Sequence, residues 1–275
     1  MPTARRLKEI ASLGQKKYRD QLGQCVIEGA RSLESALQGG ARVHDILLGP
    51  GAEWTGRAGA PEPERIDAQT LSRLARVSTP PGILAVVSVP LVEEADLPAR
   101  LAASDPVLVL DGIQDPGNVG TLIRTAAWFG VRAVVGTVHA ADDAPFGTAD
   151  FFNPKTLRAS MGGVWDVLLC RSSHPELLLQ TFRDQGRAVW VADMEGEDAR
   201  AWAPGPGSVL VLGSEAHGPS TAAATRATGR VTISRPASRD NDAGPSPSAV
   251  ESLNVAAAGA ILLSRFSSCR SRLEK

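Results

Sequence analysis

Val107-Leu-Val-Leu-Asp-Gly-Ile-Gln-Asp-Pro-Gly-Asn-Val-Gly-Thr-Leu-Ile-Arg-Thr-Ala-Ala-Trp-Phe-Gly130 is the stretch from which the rest of the chain is read. Val107 to Leu110 is a short apolar, β-branched run, the pattern of a strand buried on both faces of a parallel sheet. Asp111, Gly112, Asp115, Pro116 and Gly117 mark a turn, and Asn118 stands where a helix N-cap would. Val119, Leu122, Ile123, Ala126 and Ala127 follow at helical spacing, and Gly130 is placed to end the helix. Gly120 and Arg124 lie one turn apart on the other face, where a bare glycine beside a guanidinium predicts room for a ligand. A helix N-terminus with Asn118 and Arg124 beside it suits a phosphate. A strand-turn-helix unit of this kind is equally an ordinary piece of α/β scaffold, so the chemistry needs support from elsewhere in the chain.

Two later stretches supply it. Val209 to Leu212 is another apolar strand running into Gly213-Ser-Glu215-Ala-His-Gly218-Pro219, and Ser252-Leu-Asn254-Val255 opens the last apolar helix. Together with Asn118-Val-Gly-Thr-Leu-Ile-Arg124, these resemble, in order, the three motifs of the SpoU/TrmH family of RNA 2′-O-ribose methyltransferases, a branch of the SPOUT superfamily. The resemblance covers about residues 105–270 well and the N-terminal part more loosely.

The resemblance implies S-adenosylmethionine-dependent methylation of a ribose 2′-hydroxyl in structured RNA, with ribosomal RNA favoured by the two-domain layout. It also implies a C-terminal deep trefoil knot, which periodicity alone would not predict because knots are nearly absent from folds. In the family's pattern Asn118 and Arg124 hold the target phosphate and ribose, Glu215 and Ser252 orient them, and Asn254 braces the cofactor loop. The cofactor is expected against backbone groups around Asp193, Gly213, Ile233 and Leu253. A homodimer formed through the catalytic domain is inherited from the same resemblance. The chain departs from the pattern in a long Pro-rich loop over 235–251, in Gly218-Pro219, and in Ala256 where many members have Ser.

Composition sets the bounds. At 275 residues, 43% hydrophobic and 21% charged, the chain is globular and long enough for two modest domains. A net charge of −1 gives no global sign of nucleic acid, so an RNA surface must be a local patch. Three cysteines and four histidines are scattered, which argues against a disulfide framework and against a metal. The N-terminus lacks the apolar core of a signal peptide and no run of about 18 apolar residues exists, so a cytoplasmic protein with no membrane span is expected.

Residues 1–90 alternate helix and strand and read as a separate small α/β domain, followed by an acidic, Pro-containing linker over 91–106 and the catalytic domain over 107–275. The N-terminal layout is similar to the family's substrate-binding domain, whose fold is like that of a small RNA-binding ribosomal protein; Cys25-Val-Ile-Glu28-Gly29 stands in place of its Phe-Leu-Ile-Glu-Gly-like run. Arg5, Arg6, Lys16, Lys17 and Arg19 form a basic face opposite Leu7, Ile10 and Leu13, able to meet phosphates or to remain a solvated helix surface. Lys155 and Arg158, opening a helix after Asn153-Pro154, carry the same two readings. Further strands are expected at Ala133 to Gly136, Ala188 to Ala192 and Val231 to Ile233, with Asp193 to Gly196 a loop at a strand end, where open parallel sheets bind ligands. The class is therefore α/β with a largely parallel sheet.

Three other functions compete. A non-catalytic RNA-binding or ribosome-assembly factor on the same fold would favour loss of Asn118, Arg124 or Asn254, and all three are present. A transfer-RNA 2′-O-methyltransferase differs only in substrate. A nicotinamide dehydrogenase needs a G-x-G-x-x-G turn, and Asp111-Gly-Ile-Gln-Asp-Pro-Gly-Asn-Val-Gly lacks that spacing.

Overall fold

The computed structural model describes residues 2–138, 147–235 and 252–273. Two sheets organise it. The first is built from α1 (Ala4–Ser12), α2 (Lys16–Leu22), β1 (Gln24–Glu28), α3 (Ala30–Gln38), β2 (Val43–Leu48), β3 (Glu64–Arg65), α4 (Ala68–Leu74) and β4 (Ile83–Ser88). Its strands lie in the order β1-β4-β2-β3, with β4 antiparallel to both of its neighbours. The basic N-terminal stretch is two helices rather than one continuous face, because the chain turns between Ser12 and Lys16 and α2 ends at Gly23, whose φ of 61° suits a residue without a Cβ.

The second sheet has seven strands, all parallel, in the order β11-β9-β10-β6-β7-β8-β5. It comprises β5 (Leu91–Val92), β6 (Val107–Asp111), α5 (Pro116–Trp128), β7 (Ala133–Thr137), α6 (Pro154–Ser160), β8 (Leu168–Ser172), α7 (Pro175–Asp184), β9 (Val189–Asp198), β10 (Val209–Gly213), α8 (Thr221–Arg226), β11 (Gly229–Thr232) and α9 (Val255–Leu273). Every residue of β6 is buried, and its side chains divide by alternation. Leu108 and Leu110 join one apolar cluster with Val119, Leu122, Ile123 and Leu262, while Val107 and Val109 join another with Leu178, Leu179 and Phe182. Burying each such side chain stabilises the fold by roughly 1.5–3 kcal/mol. The first cluster also takes in Cys25, Ile27, Leu33 and Val87, so the two sheets share apolar packing.

Residues 91–106 are more than a tether. Leu91 and Val92 pair with Leu169 and Cys170 as the sheet's edge strand, and Leu97 and Leu101 are buried beside α7. Arg187, 5% exposed, fastens the end of this stretch by donating to the carbonyls of Ala102, Asp105 and Gly207. The expected loop at Asp193 to Gly196 lies within β9 as an excursion: the β9–β11 register passes from Val191↔Arg230 to Glu197↔Val231, leaving the residues between unpaired on β11. The Pro-rich loop after Arg235 and most of the polar stretch from His139 lie outside the described residues. Among the described residues, no helix is long and apolar enough to cross a membrane.

Candidate active site

The parallel register of β6 and β10 brings Asp111 opposite Gly213, so the turns that follow these two strands emerge side by side. The buried Asp111 carboxylate accepts the Ser220 N–H at 2.7 Å, tying one turn to the other. After Gly112, whose φ is 77°, the chain enters α5. Its N-cap is Asp115, not Asn118: Asp115 Oδ1 accepts the Asn118 N–H at 2.9 Å and Pro116 takes the first helical position. The Asp-Pro pair was the readable signal for this boundary.

Relieved of capping, the Asn118 side chain is held at both ends. Its Nδ2 donates to Glu215 Oε1 at 2.5 Å, and its Oδ1 accepts from Asn254 Nδ2 at 3.2 Å. Asn254 Oδ1 in turn accepts the N–H groups of Ala256 (2.9 Å) and Ala257 (3.3 Å), capping α9. Three segments far apart in sequence thus meet at one amide, which keeps one N–H and one lone pair for a ligand. Ser252, exposed, precedes Asn254 by two residues and has no side-chain partner among the described residues.

Arg124 is exposed on α5 with no hydrogen-bond partner among the described residues. A short 3-10 turn, Gly163–Trp165, backs it: a Cβ on Gly163 would lie 3.1 Å from the Arg124 Cα. The neighbouring Gly120 does not leave room for a ligand, as its sequence position suggested. It is buried, and a Cβ there would lie 2.4 Å from the Thr156 carbonyl and 2.6 Å from the Ala159 Cβ, so this glycine lets α6 cross α5 closely. α6 returns a contact of its own, since Lys155 Nζ donates to Asp115 Oδ2 at 2.6 Å. That ammonium, and after it the Asn118 N–H, hold the Asp115 carboxyl below the usual carboxylate range.

Asp193 opens the excursion within β9, Gly213 ends the adjacent β10, Ile233 follows β11 directly, and Leu253 leads into α9. Asp193 Oδ2 pairs with Arg230 at 2.9 Å. A Cβ on Gly213 would lie 2.3 Å from the Gly218 carbonyl carbon, so the following loop folds back on a bare backbone. Leu253 is 48% exposed and Met194, at the same edge, 77%. Parallel-sheet edges of this make-up offer apolar walls and backbone polar groups to a flat ligand.

The basic residues separate into two groups. Arg5, Lys16, Lys17, Lys155 and Arg158 are exposed, although Lys16 pairs with Asp20. Arg19 is not available to RNA: it is 4% exposed, donates to Asp150 at 2.6 Å and to the carbonyls of Leu13 and Gly14, and so serves the packing of α2 on the second sheet. Arg6 is half-buried and committed to Asp45 and Glu9 within the first unit. A buried guanidinium requires such partners, and two of the carboxylates, Asp150 and Asp45, lie far away in sequence.

Residues 105–264 match the SpoU rRNA methylase family model, and residues 4–85 match the MRM3-like substrate binding domain. The chain is 30% identical, over 94% of each sequence, to the 23S rRNA (guanosine(2553)-2′-O)-methyltransferase RlmP of Bacillus subtilis. Its fold superposes on a Porphyromonas gingivalis protein assigned to the TrmH family of RNA methyltransferases, with a TM-score of 0.77 at 34% identity over 97% of this chain and 98% of that one. It also superposes on the S-adenosylmethionine-bound rRNA methyltransferase of Sinorhizobium meliloti, with a TM-score of 0.75 at 25% identity over 98% and 96% of the two chains.

Proposed function

The chain belongs to the SpoU rRNA methylase family, and from that premise we propose that it methylates a ribose 2′-hydroxyl of ribosomal RNA with S-adenosylmethionine. The observation that carries the reading is the junction at Asn118, where Glu215 and Asn254 fix both ends of one amide on the helix that also carries Arg124. When bound, S-adenosylmethionine supplies a methyl group already activated by its sulfonium. The chain's own task is to align the hydroxyl, ease the loss of its proton and keep water out.

In this reading Asn118 offers its remaining N–H and lone pair to the target nucleotide, and Glu215 with Ser252 orients that contact. Arg124 clamps the adjoining phosphate and lowers the hydroxyl's pKa. Arginine side chains stay protonated in proteins, so the clamp role is preferred to that of a general base. Asn254 holds the start of α9 in place, and the backbone around Asp193, Gly213, Ile233 and Leu253 takes the cofactor. The apolar surfaces of Leu253 and Met194 fit a flat adenine at that edge.

The proposal includes the rest of the family's architecture. α9 passes through a loop to make a deep trefoil knot. Residues 1–90 act as a ribosomal-protein-like substrate-binding domain, joined through 91–106 to a methyltransferase domain over 107–275. Arg5, Lys16, Lys17, Lys155 and Arg158 meet RNA phosphates. Two copies associate through the catalytic domain, in keeping with the 84% exposure of Trp128 on α5 and the 44% exposure of Ile261 on α9, the helix that crosses α5 at Gly259.

The test is transfer from labelled S-adenosylmethionine to ribosomal RNA, followed by digestion to nucleosides. A 2′-O-methylated nucleoside is expected with the wild type and none with Arg124→Ala. Binding of S-adenosylmethionine with no transfer to any ribosomal RNA would overturn the catalytic reading.

A further inference from the structure

Between the two sheets lies a shallow cleft with one wall from each unit. Ile27 of β1 and Ser32 of α3 line one side; Leu157 and Arg158 of α6, with Trp165, line the other. Glu28, the one carboxylate among the lining residues, is turned away: its Oε1 accepts the Arg76 N–H at 2.6 Å and its Oε2 is buried. The charge this surface shows a ligand is therefore that of Arg158, exposed and without a side-chain partner among the described residues. Opposite it, Ser32, Ser35 and Gly39 share one face of α3, Ser35 lying against Gly162 and Gly39 against Trp165. Several helical hydroxyls in this chain, those of Ser12, Thr125, Ser160 and Thr181, return to a carbonyl three or four residues back. Ser32 and Ser35 have no hydrogen-bond partner among the described residues and keep their hydroxyls for a ligand.

A short turn carries this surface across to the reaction site. α6 gives way at Met161, whose φ of 49° is the one positive value of a non-glycine residue among the described residues, and Gly162 follows at 95°. Such backbone is unfavourable for a residue with a side chain and persists where the surroundings impose it. Here both neighbours do: a Cβ on Gly162 would lie 2.7 Å from the Ser35 side chain, and one on Gly163 3.1 Å from the Arg124 Cα. Adjacent residues of one turn thus touch α3 of the first unit and α5 of the second. The Ser35 hydroxyl and the Arg124 Cα are then no more than about 13 Å apart, the step between successive Cα atoms being about 3.8 Å.

We propose that one strand of the RNA substrate crosses the seam between the units here, its phosphates accepting hydrogen bonds from the Ser32 and Ser35 hydroxyls and resting on Arg158 before the strand reaches Arg124. The proposal rests on the ribosomal RNA reading given above and adds the two serines to it. Hydroxyls and guanidinium groups are donors that proteins commonly set on phosphate oxygens, and such contacts fix the position of a strand rather than read its sequence. Held on α3, the strand stays within reach of the ribose that the second unit methylates, so the first unit shares directly in placing the target. The turn packed against both helices keeps these donors at a set spacing.

The test uses the full chain and a fluorescent single-stranded decauridylate, with dissociation constants read by anisotropy over a range of salt. The double variant Ser32→Ala/Ser35→Ala should raise the dissociation constant at least about fivefold with the salt slope unchanged, since two hydrogen bonds and no charge are lost. Alanine is the better helix former, so the melting temperature should not fall. Arg158→Ala should weaken binding and reduce the salt slope by about one. Ser32→Asp sets a negative charge in the path of the strand and should weaken binding at least about tenfold. Ser72→Asp, the same change on α4 at the opposite face of the first sheet, should leave binding within about twofold of the wild type. Unchanged affinity in the double variant, equal losses from Ser32→Asp and Ser72→Asp, or a wild type that does not hold the oligonucleotide at low salt would overturn the proposal. Should the double variant melt below the wild type, the comparison of Ser32→Asp with Ser72→Asp decides. Methyl transfer to ribosomal RNA is assayed separately: its absence with the serine-dependent binding intact would count against the enzymatic reading and in favour of the crossing.

Discussion

Asn118 donates to Glu215 across the ends of two neighbouring parallel strands, at 2.5 Å. Because Asn254 holds the other end of the same amide, removing Glu215 should free the amide to turn rather than unfold the protein. Glu215→Ala is expected to lower the single-turnover rate about tenfold, the order of one charge-assisted hydrogen bond at an exposed site, with little change in S-adenosylmethionine affinity. Glu215→Gln, which keeps an acceptor oxygen, should recover part of the loss. A rapid-quench comparison of the three proteins checks this.

Arg124 presents its guanidinium without a partner among the described residues. Arg124→Ala should abolish methyl transfer while calorimetry finds S-adenosylmethionine bound as in the wild type. Arg124→Lys should not restore activity, since an ammonium cannot reproduce a planar fork on phosphate. A fully active lysine variant would reduce the role to bare charge.

Gly120 makes a prediction about stability. A methyl group there would meet the backbone carbonyl of Thr156, which cannot swing aside as a flexible side chain could. Gly120→Ala should cost about 1–3 kcal/mol in urea unfolding by overpacking the α5–α6 crossing. Unchanged stability would mean that α6 can shift freely.

Arg187 is buried, and the loss of solvation lowers its pKa. Arg187→Met fills similar space and leaves three carbonyls without this donor. A destabilisation of about 2–4 kcal/mol is expected, read as a shift in the denaturation midpoint.

Asp115 predicts a pH dependence whose sign follows from its depressed pKa. Its contribution is complete above the ordinary value of 3.8 and is lost as pH falls through the lower value it has in the fold. Melting temperatures of the wild type and Asp115→Ala should therefore differ at neutral pH and converge in strong acid. Across the neutral range the difference should be flat.

The sequence made some of these relationships legible and hid others for definable reasons. β6 and the apolar side of α5 follow from periodicity, which local physics enforces. The edge strand at Leu91 and Val92 did not, because two residues in an acidic context carry no period. Gly120 was misread because a glycine's spacing reveals missing bulk but not which neighbour fills the gap. Arg19 was misread as a surface cation because its partner, Asp150, lies in another unit. The meeting of Asn118 with Glu215 and Asn254 was foreseen from motif resemblance; nothing in composition or periodicity would have joined them.

The ion pair between Arg19 and Asp150, 4% and 5% exposed, limits how this architecture can be recombined. Grafting the front half onto a back half with no carboxylate at position 150 would leave the buried Arg19 guanidinium without its ion partner, and the reverse graft would leave Asp150 with Arg171 alone. The two halves must therefore be inherited or engineered as a matched set, and chimaeras that respect only the sequence boundary near residue 90 should misfold unless both residues travel together.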